Sequence, residues 1–573
     1  MDKLQALKQV FGHSAFRQGQ EALIDALLSG ADALGIMPTG AGKSVCYQIP
    51  SLMLPGITLV ISPLISLMKD QVMALIQAGV PAAYINSSLT AGQCALALER
   101  ARQGAYKIIY VAPERLLTPS FLRFAKAASL SLIAVDEAHC VSQWGQDFRP
   151  SYLSIADFVS RLPLRPPVGA FTATATVQVK DDILRLLRLE NPLVRSTGFD
   201  RPGLYFGVRQ PRDREDELLD ILAQRQGKSG IIYCATRKNV DNLCDLLRRE
   251  GYSAQRYHAG MRDEDRHQAQ DDFQFDRALI MVATNAFGMG IDKSNVAFVI
   301  HYNMPKNLES YYQEAGRAGR DGGSAECILL YGKQDVVLQQ WMINHSEQNP
   351  ELDMDQREAV KKTELERLKQ MTYYATAKRC LRKEILNYFG EEAPPFCGNC
   401  SVCQGEAREG KVTKPRHKAI QAQAMQSREE LVFSALRALR NTIAADRGIP
   451  AYAVFTDASL REMTLLMPDS EESFLRVAGV GEKKLQSYGA LFIAFLRTLE
   501  QMAGRDQLRD SASVKALAQR HWRSLMPWKS DEIRRLKAEA AQGMSLASIA
   551  RAHDRPEEAV AAQLRTLGID TRY

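Results

Sequence analysis

Up to about Tyr331 the chain alternates short β-rich runs with longer helical patterns, a rhythm that few folds accept. The runs include Ile57–Ile61, Lys107–Val111, Leu130–Val135 and Val168–Phe171. A second series follows at Gly230–Cys234, Leu279–Val282, Val296–Ile300 and Cys327–Leu330. Alternation of this kind predicts two parallel-sheet α/β lobes. The Pro202-Gly203 pair breaks the pattern, so the join is expected near Asp200–Gly203, with one lobe over 1–202 and the other over 203–335.

A chain of 573 residues is too long for one core, and roughly three to five domains are expected. After the lobes comes a long charged helical stretch, Asp353 to Phe389, leading into a cysteine cluster; together these form a helical module over 336–406. A polar, basic linker (407–425) separates it from a compact helical region at 426–503 and a small helical region at 504–573. The fold class is therefore α/β in the lobes with all-α modules behind them. The first residues lack the apolar core of a secretory signal. Ser44 to Met68 carries no charge, but Pro50, Pro55 and Pro63 interrupt it, so buried parallel strands explain it better than a membrane span. A net charge of +7 suits a phosphate-rich partner without requiring one.

Pro38-Thr39-Gly40-Ala41-Gly42-Lys43-Ser44 follows an expected strand over Ala31–Met37. Glycines let such a loop wrap phosphates with backbone N–H groups, Lys43 adds a positive charge, and Ser44 can hold magnesium. Leu132-Ile133-Ala134-Val135 then runs into Asp136-Glu137-Ala138-His139. A buried strand ending in two carboxylates can set Asp136 near the metal and Glu137 near an attacking water. The second lobe supplies Gln313-Glu314-Ala315-Gly316-Arg317-Ala318-Gly319-Arg320, with two arginines at i and i+3 facing a shared anion. Each element alone has a bland reading as an ordinary turn, a solvated acidic pair or surface charge. Together they describe a machine that hydrolyses a nucleoside triphosphate between two lobes.

In order and wording these motifs resemble those of a superfamily 2 helicase. The resemblance extends to Ser62-Pro63-Leu64-Ile65-Ser66-Leu67, to Thr172-Ala173-Thr174-Ala175, to the stretch from Ala283 through Asp292, and to Phe16-Arg17-Gln18-Gly19-Gln20. It implies that Gln20 reads an adenine edge beside Phe16 and that Arg17 stacks on the ring. It also implies that Glu137 acts as base, that Gln313 positions water, and that Arg317 or Arg320 acts across the lobes. ATP and Mg²⁺ follow from it, with Asp292 counted among the nucleotide contacts.

Cys140 through Pro150 places Trp144, Phe148 and Arg149 on a segment broken by glycine and proline. Such a group either stacks on unpaired bases, at roughly 1–3 kcal/mol each, or braces the lobe. The string is similar to the aromatic-rich loop of the RecQ family, which implies DNA contact coupled to ATP hydrolysis. Gln146 stands where that family usually has histidine, and His13 where relatives often place tyrosine.

Ten cysteines divide into six single ones (Cys46, Cys94, Cys140, Cys234, Cys244, Cys327), read as small buried side chains, and four that cluster. Cys380, on a helix, with Cys397, Cys400 and Cys403, offers a tetrahedral Cys₄ set for structural zinc; disulfides are the alternative, disfavoured in a reducing compartment. The spacing looks like the zinc module that follows a RecQ motor. About 25 residues separate Cys403 from the next helical region, too few for the winged-helix domain common in that family.

The stretch from Gly448 to Leu485 resembles the helicase-and-RNase-D C-terminal (HRDC) module. Its turn at Gly479–Gly481, beside Lys483 and Lys484, is either a phosphate site contacting DNA or a plain helix connector. From Ser530 three short helices are expected, similar to helix-turn-helix modules, in a tail with 13 Lys/Arg against 9 Asp/Glu. Glu557 and Glu558 oppose phosphate binding there, so DNA contact and protein docking both stand.

The resemblance as a whole implies an ATP-dependent DNA helicase moving 3′ to 5′ on single-stranded DNA in recombination and repair. The alternative is a translocase or annealing factor that unwinds poorly. Single-stranded and forked DNA would be its partners, with single-strand-binding protein or repair factors at the C-terminal modules, and the chain would be a cytoplasmic, nucleoid-associated monomer with no membrane partner.

Overall fold

The computed structural model describes residues 2–573 apart from 146, 286, 288–292, 294, 321, 346–353, 407–427, 450, 504–516, 520, 524–527, 529, 554, 556, 568 and 570–573. Two compact units emerge: Met1–Val10 with Ser14–Ala419, and Phe11–His13 with Ile420–Tyr573.

The larger unit carries two parallel sheets. The first contains β1 (Ala33–Ile36), β2 (Ile57–Ile61), β3 (Ala82–Ile85), β4 (Ile108–Val111), β5 (Leu130–Val135), β6 (Val168–Thr172) and β7 (Leu193–Ser196), in the order β3-β4-β2-β5-β6-β1-β7. The second contains β8 (Leu204–Arg209), β9 (Ser229–Tyr233), β10 (Ala254–Tyr257), β11 (Ile280–Ala283), β12 (Val296–His301) and β13 (Ala325–Leu330), in the order β10-β11-β9-β12-β13-β8. β1, β2, β4, β9 and β11 are buried along their whole length, as strands covered on both faces must be. Parallel strands bring all their C-terminal ends to one edge, which is where open α/β sheets place ligands. In the first sheet that edge gathers the glycine loop after β1, the acidic pair after β5 and Thr172 at the end of β6.

The chain crosses from one sheet to the other between Ser196 and Leu204, at the expected Pro-Gly break. The module behind the lobes holds this crossing. Its long helix is not continuous to Phe389: Met354–Thr376 and Leu381–Tyr388 are separate helices. Cys380 stands at the N-cap of the second rather than within a helix. Arg382, buried, donates to Asp200 Oδ1 at 2.7 Å, to Arg201 O at 2.6 Å and to Leu204 O at 2.6 Å. Glu391 accepts from Phe199 N at 2.9 Å, Asn399 Nδ2 donates to Pro202 O at 2.8 Å, and Phe199 stacks on Phe389 with centroids 4.3 Å apart. The same module covers the open edge of β8, where Ser401 N donates to Phe206 O at 2.9 Å.

In the smaller unit, Arg428–Arg447, Asp457–Leu466 and Ala490–Ala503 are the main helices of the HRDC-like region, around Phe455, Phe474, Tyr488 and Phe492. Ser530–Ala541, Leu546–His553 and Glu557–Thr566 pack on Leu536, Ile549, Val560 and Leu564. No described helix is long and apolar enough to cross a membrane. Five of the six single cysteines are buried; Cys94 is only half-buried, in the largely exposed first turn of the Ala91–Arg102 helix.

Removing the Arg382 guanidinium takes the charged donor from Leu204 O and leaves Arg201 O with the Leu204 N–H alone; losing hydrogen bonds made by a charged group costs on the order of 3 kcal/mol here. Arg382→Met is therefore expected to lower the midpoint of the first urea transition of the full chain. An unchanged midpoint would show that the crossing does not depend on this clamp.

Candidate active site and zinc centre

The glycine loop opens the Lys43–Met53 helix, with Gly40 and Gly42 at φ of +81° and +83°, a region that side chains avoid. Gly42 also has no room for a Cβ, which would stand 2.5 Å from Gln20 Nε2. Gln20 is buried and donates to Ala41 O and Gly42 O at 3.1 Å each, while its Oε1 accepts from Arg17 N at 2.8 Å. Arg17 donates to Gly40 O, and Phe16 is half-buried. Both residues expected at the adenine thus grip the loop's backbone in this state.

Lys43 Nζ lies 3.9 Å from Glu137 Oε1, which ties the loop to the acidic pair. Glu137 begins a tight turn at φ +47°. Burial pushes its carboxyl up, but the charges of Lys43, His139, Arg317 and Arg320 outweigh that and hold it below the usual glutamate range. Asp136 goes the other way: burial, then the neighbouring Glu137 charge, raise it to about 7 against the pull of Lys43. His139 is buried, and desolvation lowers its pKa from the usual histidine value against the opposing charge of Glu137. The ring's Nδ1 is 2.8 Å from Thr172 Oγ1. The same hydroxyl lies 3.1 Å from Thr174 O. The ends of β5 and β6 are thereby locked together.

The second lobe closes the site. Thr39 Oγ1 donates to Gly316 O at 2.9 Å, and a Cβ at Gly316 would fall 2.1 Å from that hydroxyl. A Cβ at Gly40 would stand 3.6 Å from the Arg320 backbone. Arg317 is buried and Arg320 half-buried, and the charges of both reach Glu137 from the turn after the Leu308–Ala315 helix; Gln313, on that helix, is half-buried. Two residues that carry no motif position this turn. Arg201, from the crossing, donates to Gly316 O at 2.8 Å, Ala318 O at 2.9 Å and Gly319 O at 2.8 Å. Tyr233, at the end of β9, donates to Phe287 O at 2.8 Å and accepts from Arg317. Asp292 lies outside the described residues.

Glu137 Oε2 and Arg317 Nε are buried and make no hydrogen bond among the described residues. A buried guanidinium nitrogen without an acceptor among the described residues, two positive-φ glycines and a lysine around one cleft fit a polyphosphate. A raised, buried Asp136 fits a divalent cation, whose charge would restore its ionisation; Asp136 and Ser44 would hold it.

The aromatic loop keeps Trp144 partly exposed at 37%, with Phe148 half-buried. Arg149 is not an open cation: its Nε is 3.1 Å from Asp147 Oδ2 and its Nη1 donates to Pro63 O at 2.9 Å. Gln146 lies outside the described residues. In the smaller unit Lys483 is exposed, whereas Lys484 turns its ammonium over the Phe455 ring at 5.6 Å, where burial lowers its pKa to about 8. Arg555 is likewise spent inward, 2.9 Å from Glu532 and 4.2 Å over Trp528, while Glu557 is exposed.

The sulfurs of Cys380, Cys397, Cys400 and Cys403 all lie within 4.8 Å of one another, and none is in a disulfide. A tetrahedral zinc with bonds of ~2.3 Å needs sulfurs ~3.8 Å apart, and Cys397 Sγ to Cys403 Sγ is 4.0 Å. Backbone N–H groups of Asn399 and Cys403 point at the sulfurs of Cys397 and Cys400, both at 3.4 Å, as thiolates require. The four residues fit Zn²⁺ with no open position, so the metal is structural.

The chain matches four family profiles. They are the DEAD/DEAH box helicase (residues 17–183), the helicase conserved C-terminal domain (213–322), the RecQ zinc-binding domain (333–404) and the HRDC domain (429–496). It is similar to the ATP-dependent DNA helicase RecQ of Bacillus subtilis (strain 168), with 37% identity over 87% of this chain and 98% of that protein. The Haemophilus influenzae protein of the same name is 35% identical over 88% of this chain and 97% of its own length. The ATP-dependent helicase wrn-1 of Caenorhabditis elegans is 40% identical over 68% of this chain but 37% of that protein.

Loss of the Tyr233 hydroxyl frees Arg317 without removing it. Tyr233→Phe should lower kcat for ATP about fivefold at unchanged KM, the size of one hydrogen bond; an equal rise in KM would mean that the hydroxyl serves ATP binding instead. Metal analysis of the purified chain should find one zinc ion, and Cys400→Ser should lose it together with the thermal stability of the larger unit. Retained zinc in that variant would exclude a four-cysteine site.

Proposed function

The chain belongs to the RecQ family of ATP-dependent DNA helicases, and from that premise we propose how its residues divide the work. It is an ATP-dependent DNA helicase, with the 3′ to 5′ direction and the role in recombination and repair that go with the family. Membership favours unwinding over the alternative of a translocase or annealing factor.

In our reading the glycine loop and Lys43 hold the phosphates of ATP, Glu137 accepts the proton of the attacking water, and Gln313 orients that water. Arg317 and Arg320 face the negative charge that develops during phosphoryl transfer, a role that can be worth roughly 10³–10⁵ in rate. The magnesium ion, held by Asp136 and Ser44, supplies charge neutralisation. Phe16, Arg17 and Gln20 receive the adenine, for which Gln20 and Arg17 must release the loop carbonyls they now bind. Asp292 completes the nucleotide contacts.

What carries this reading is the contact between the lobes, Thr39 against Gly316 and Gly40 beside Arg320. It puts the phosphate loop and the arginines into one pocket. Trp144 and Phe148 then serve as stacking faces for unpaired bases, and Arg149 braces their loop instead of binding phosphate. Lys483 is the remaining HRDC-like cation for DNA, since Lys484 faces inward. The helix-turn-helix-like tail docks single-strand-binding protein or repair factors; its inward Arg555 and exposed Glu557 disfavour a DNA groove. A monomer working at the nucleoid in the cytoplasm completes the proposal.

Lys43→Ala should reduce DNA-stimulated ATPase by roughly 10²–10³-fold and abolish unwinding of a forked duplex with a 3′ tail. Trp144→Ala should keep the basal ATPase and lose most of its stimulation by single-stranded DNA. Robust stimulation in the tryptophan variant would remove the loop from the DNA path. Wild-type ATPase without any fork products would return the translocase reading.

A further inference from the structure

One side of the Met354–Thr376 helix is fastened to the helix that leads into the arginine pair. Lys306, just before the Leu308–Ala315 helix, reaches Glu364 at 3.4 Å; Arg367 Nε lies 3.4 Å from Glu309 Oε1; Tyr374 donates to Tyr311 at 3.0 Å. Positions 364, 367, 371 and 374 recur at helical spacing, and Met371 between the polar contacts is fully buried. The two helices therefore move as one body.

Arg367 also faces the first lobe. Its guanidinium donates to Trp144 O and, at 3.4 Å, to Gly145 O. These are main-chain carbonyls of the aromatic loop. A side chain at Gly145 would fall 2.2 Å from His139 O, so the loop packs closely against the turn that follows Glu137. Arg367 thus reaches both the aromatic loop and the arginine-bearing helix. Its partner Glu309 is half-used. Oε1 accepts from Tyr388 at 2.7 Å and faces Arg367, but Oε2 is buried without a hydrogen-bond partner among the described residues. A buried carboxylate oxygen with no donor keeps its full desolvation penalty. The planar fork of arginine suits two-point pairing with such a group.

We propose that Arg367 is a positioning residue with two stations: it holds the loop carbonyls when the loop is empty, and pairs through both nitrogens with Glu309 when a strand draws the loop away. The inference rests on the reading that Trp144 meets unpaired DNA, and extends it by naming how that contact reaches the arginines. In the first station the fork is split between lobe 1 and lobe 2. In the second it belongs to lobe 2 alone, the unfilled Oε2 is satisfied, and the Leu308–Ala315 helix with Gln313 and the following Arg317 shifts toward its working position. DNA binding at the loop is then read as a change in ATP turnover with no contact between DNA and the nucleotide pocket.

The test uses the full chain, with ATPase measured at saturating ATP against increasing oligo-dT. Arg367→Ala should leave the basal rate within about twofold of wild type, reduce the maximal stimulated kcat about tenfold, and leave the oligo-dT concentration for half-stimulation nearly unchanged. Arg367→Lys, with one charge but no fork, should recover only part of the loss. Glu309→Gln should lower stimulation similarly, and the Arg367→Ala/Glu309→Gln pair should be no worse than either alone. If Trp144→Ala abolishes stimulation while Arg367→Ala retains it, the relay is wrong and the loop reading survives. If Arg367→Ala lowers basal and stimulated rates by the same factor, the residue is scaffold and the proposal falls. If Trp144→Ala itself is stimulated normally, the loop reading fails, and this proposal with it.

Discussion

The motor turns on a single backbone carbonyl, that of Gly316. It accepts from Thr39 of the phosphate loop at 2.9 Å and from Arg201 of the crossing at 2.8 Å, so both lobes and the hinge between them meet at one oxygen. The threonine contact does not tolerate a side chain at 316, where a Cβ would sit 2.1 Å from the hydroxyl. Because the contact is made by backbone, the positions of Arg317 and Arg320 are fixed by the turn itself and not by how their long side chains happen to extend. A salt bridge between flexible side chains would place them far less sharply.

Much of this was legible in the amino-acid order. Strand runs that are buried on both faces announce themselves, and the expected edges of β2 and β5 agree with the structure residue for residue. The glycine loop, the acidic pair and the arginine turn are dense motifs, since phosphate chemistry restricts which residues can stand together. The residues that position them were not legible. Arg201, Tyr233, Arg382 and Glu391 are single polar residues in a linker, a strand end and two ordinary helical surroundings. Their partners are up to 192 positions away and are mostly backbone atoms, which leave no mark on composition or period. Lys484 fails in the opposite sense. A lysine beside a glycine turn reads as a phosphate contact, and only packing reveals that its amine turns onto Phe455.

The zinc module gains a clearer purpose from the same contacts. Four cysteines hold a loop that would otherwise be too short to fold by burial, and that loop pairs with β8, the exposed edge of the second sheet. From this anchorage Arg382, Glu391, Asn399 and Phe389 close on residues 199–204. The hinge is therefore held by an element belonging to neither sheet. A pivot fixed from outside lets the lobes rotate without drifting apart, which repeated opening and closing requires.

The two adjacent carboxylates show why closure and chemistry cannot be separated. Asp136 and Glu137 share one turn and one lysine, yet their acidities move in opposite directions. Asp136 faces mainly burial and its neighbour's charge, which raise its pKa, and a cation beside it would favour its anion. Glu137 is held ionised partly by Arg317 and Arg320, which come from the other lobe. With the lobes apart, Glu137 loses those two charges and Gly316 loses Thr39 in the same motion. The base, the charge stabilisers and the lobe contact are thus assembled or dismantled together, and ATP bound to one lobe alone meets an incomplete pocket.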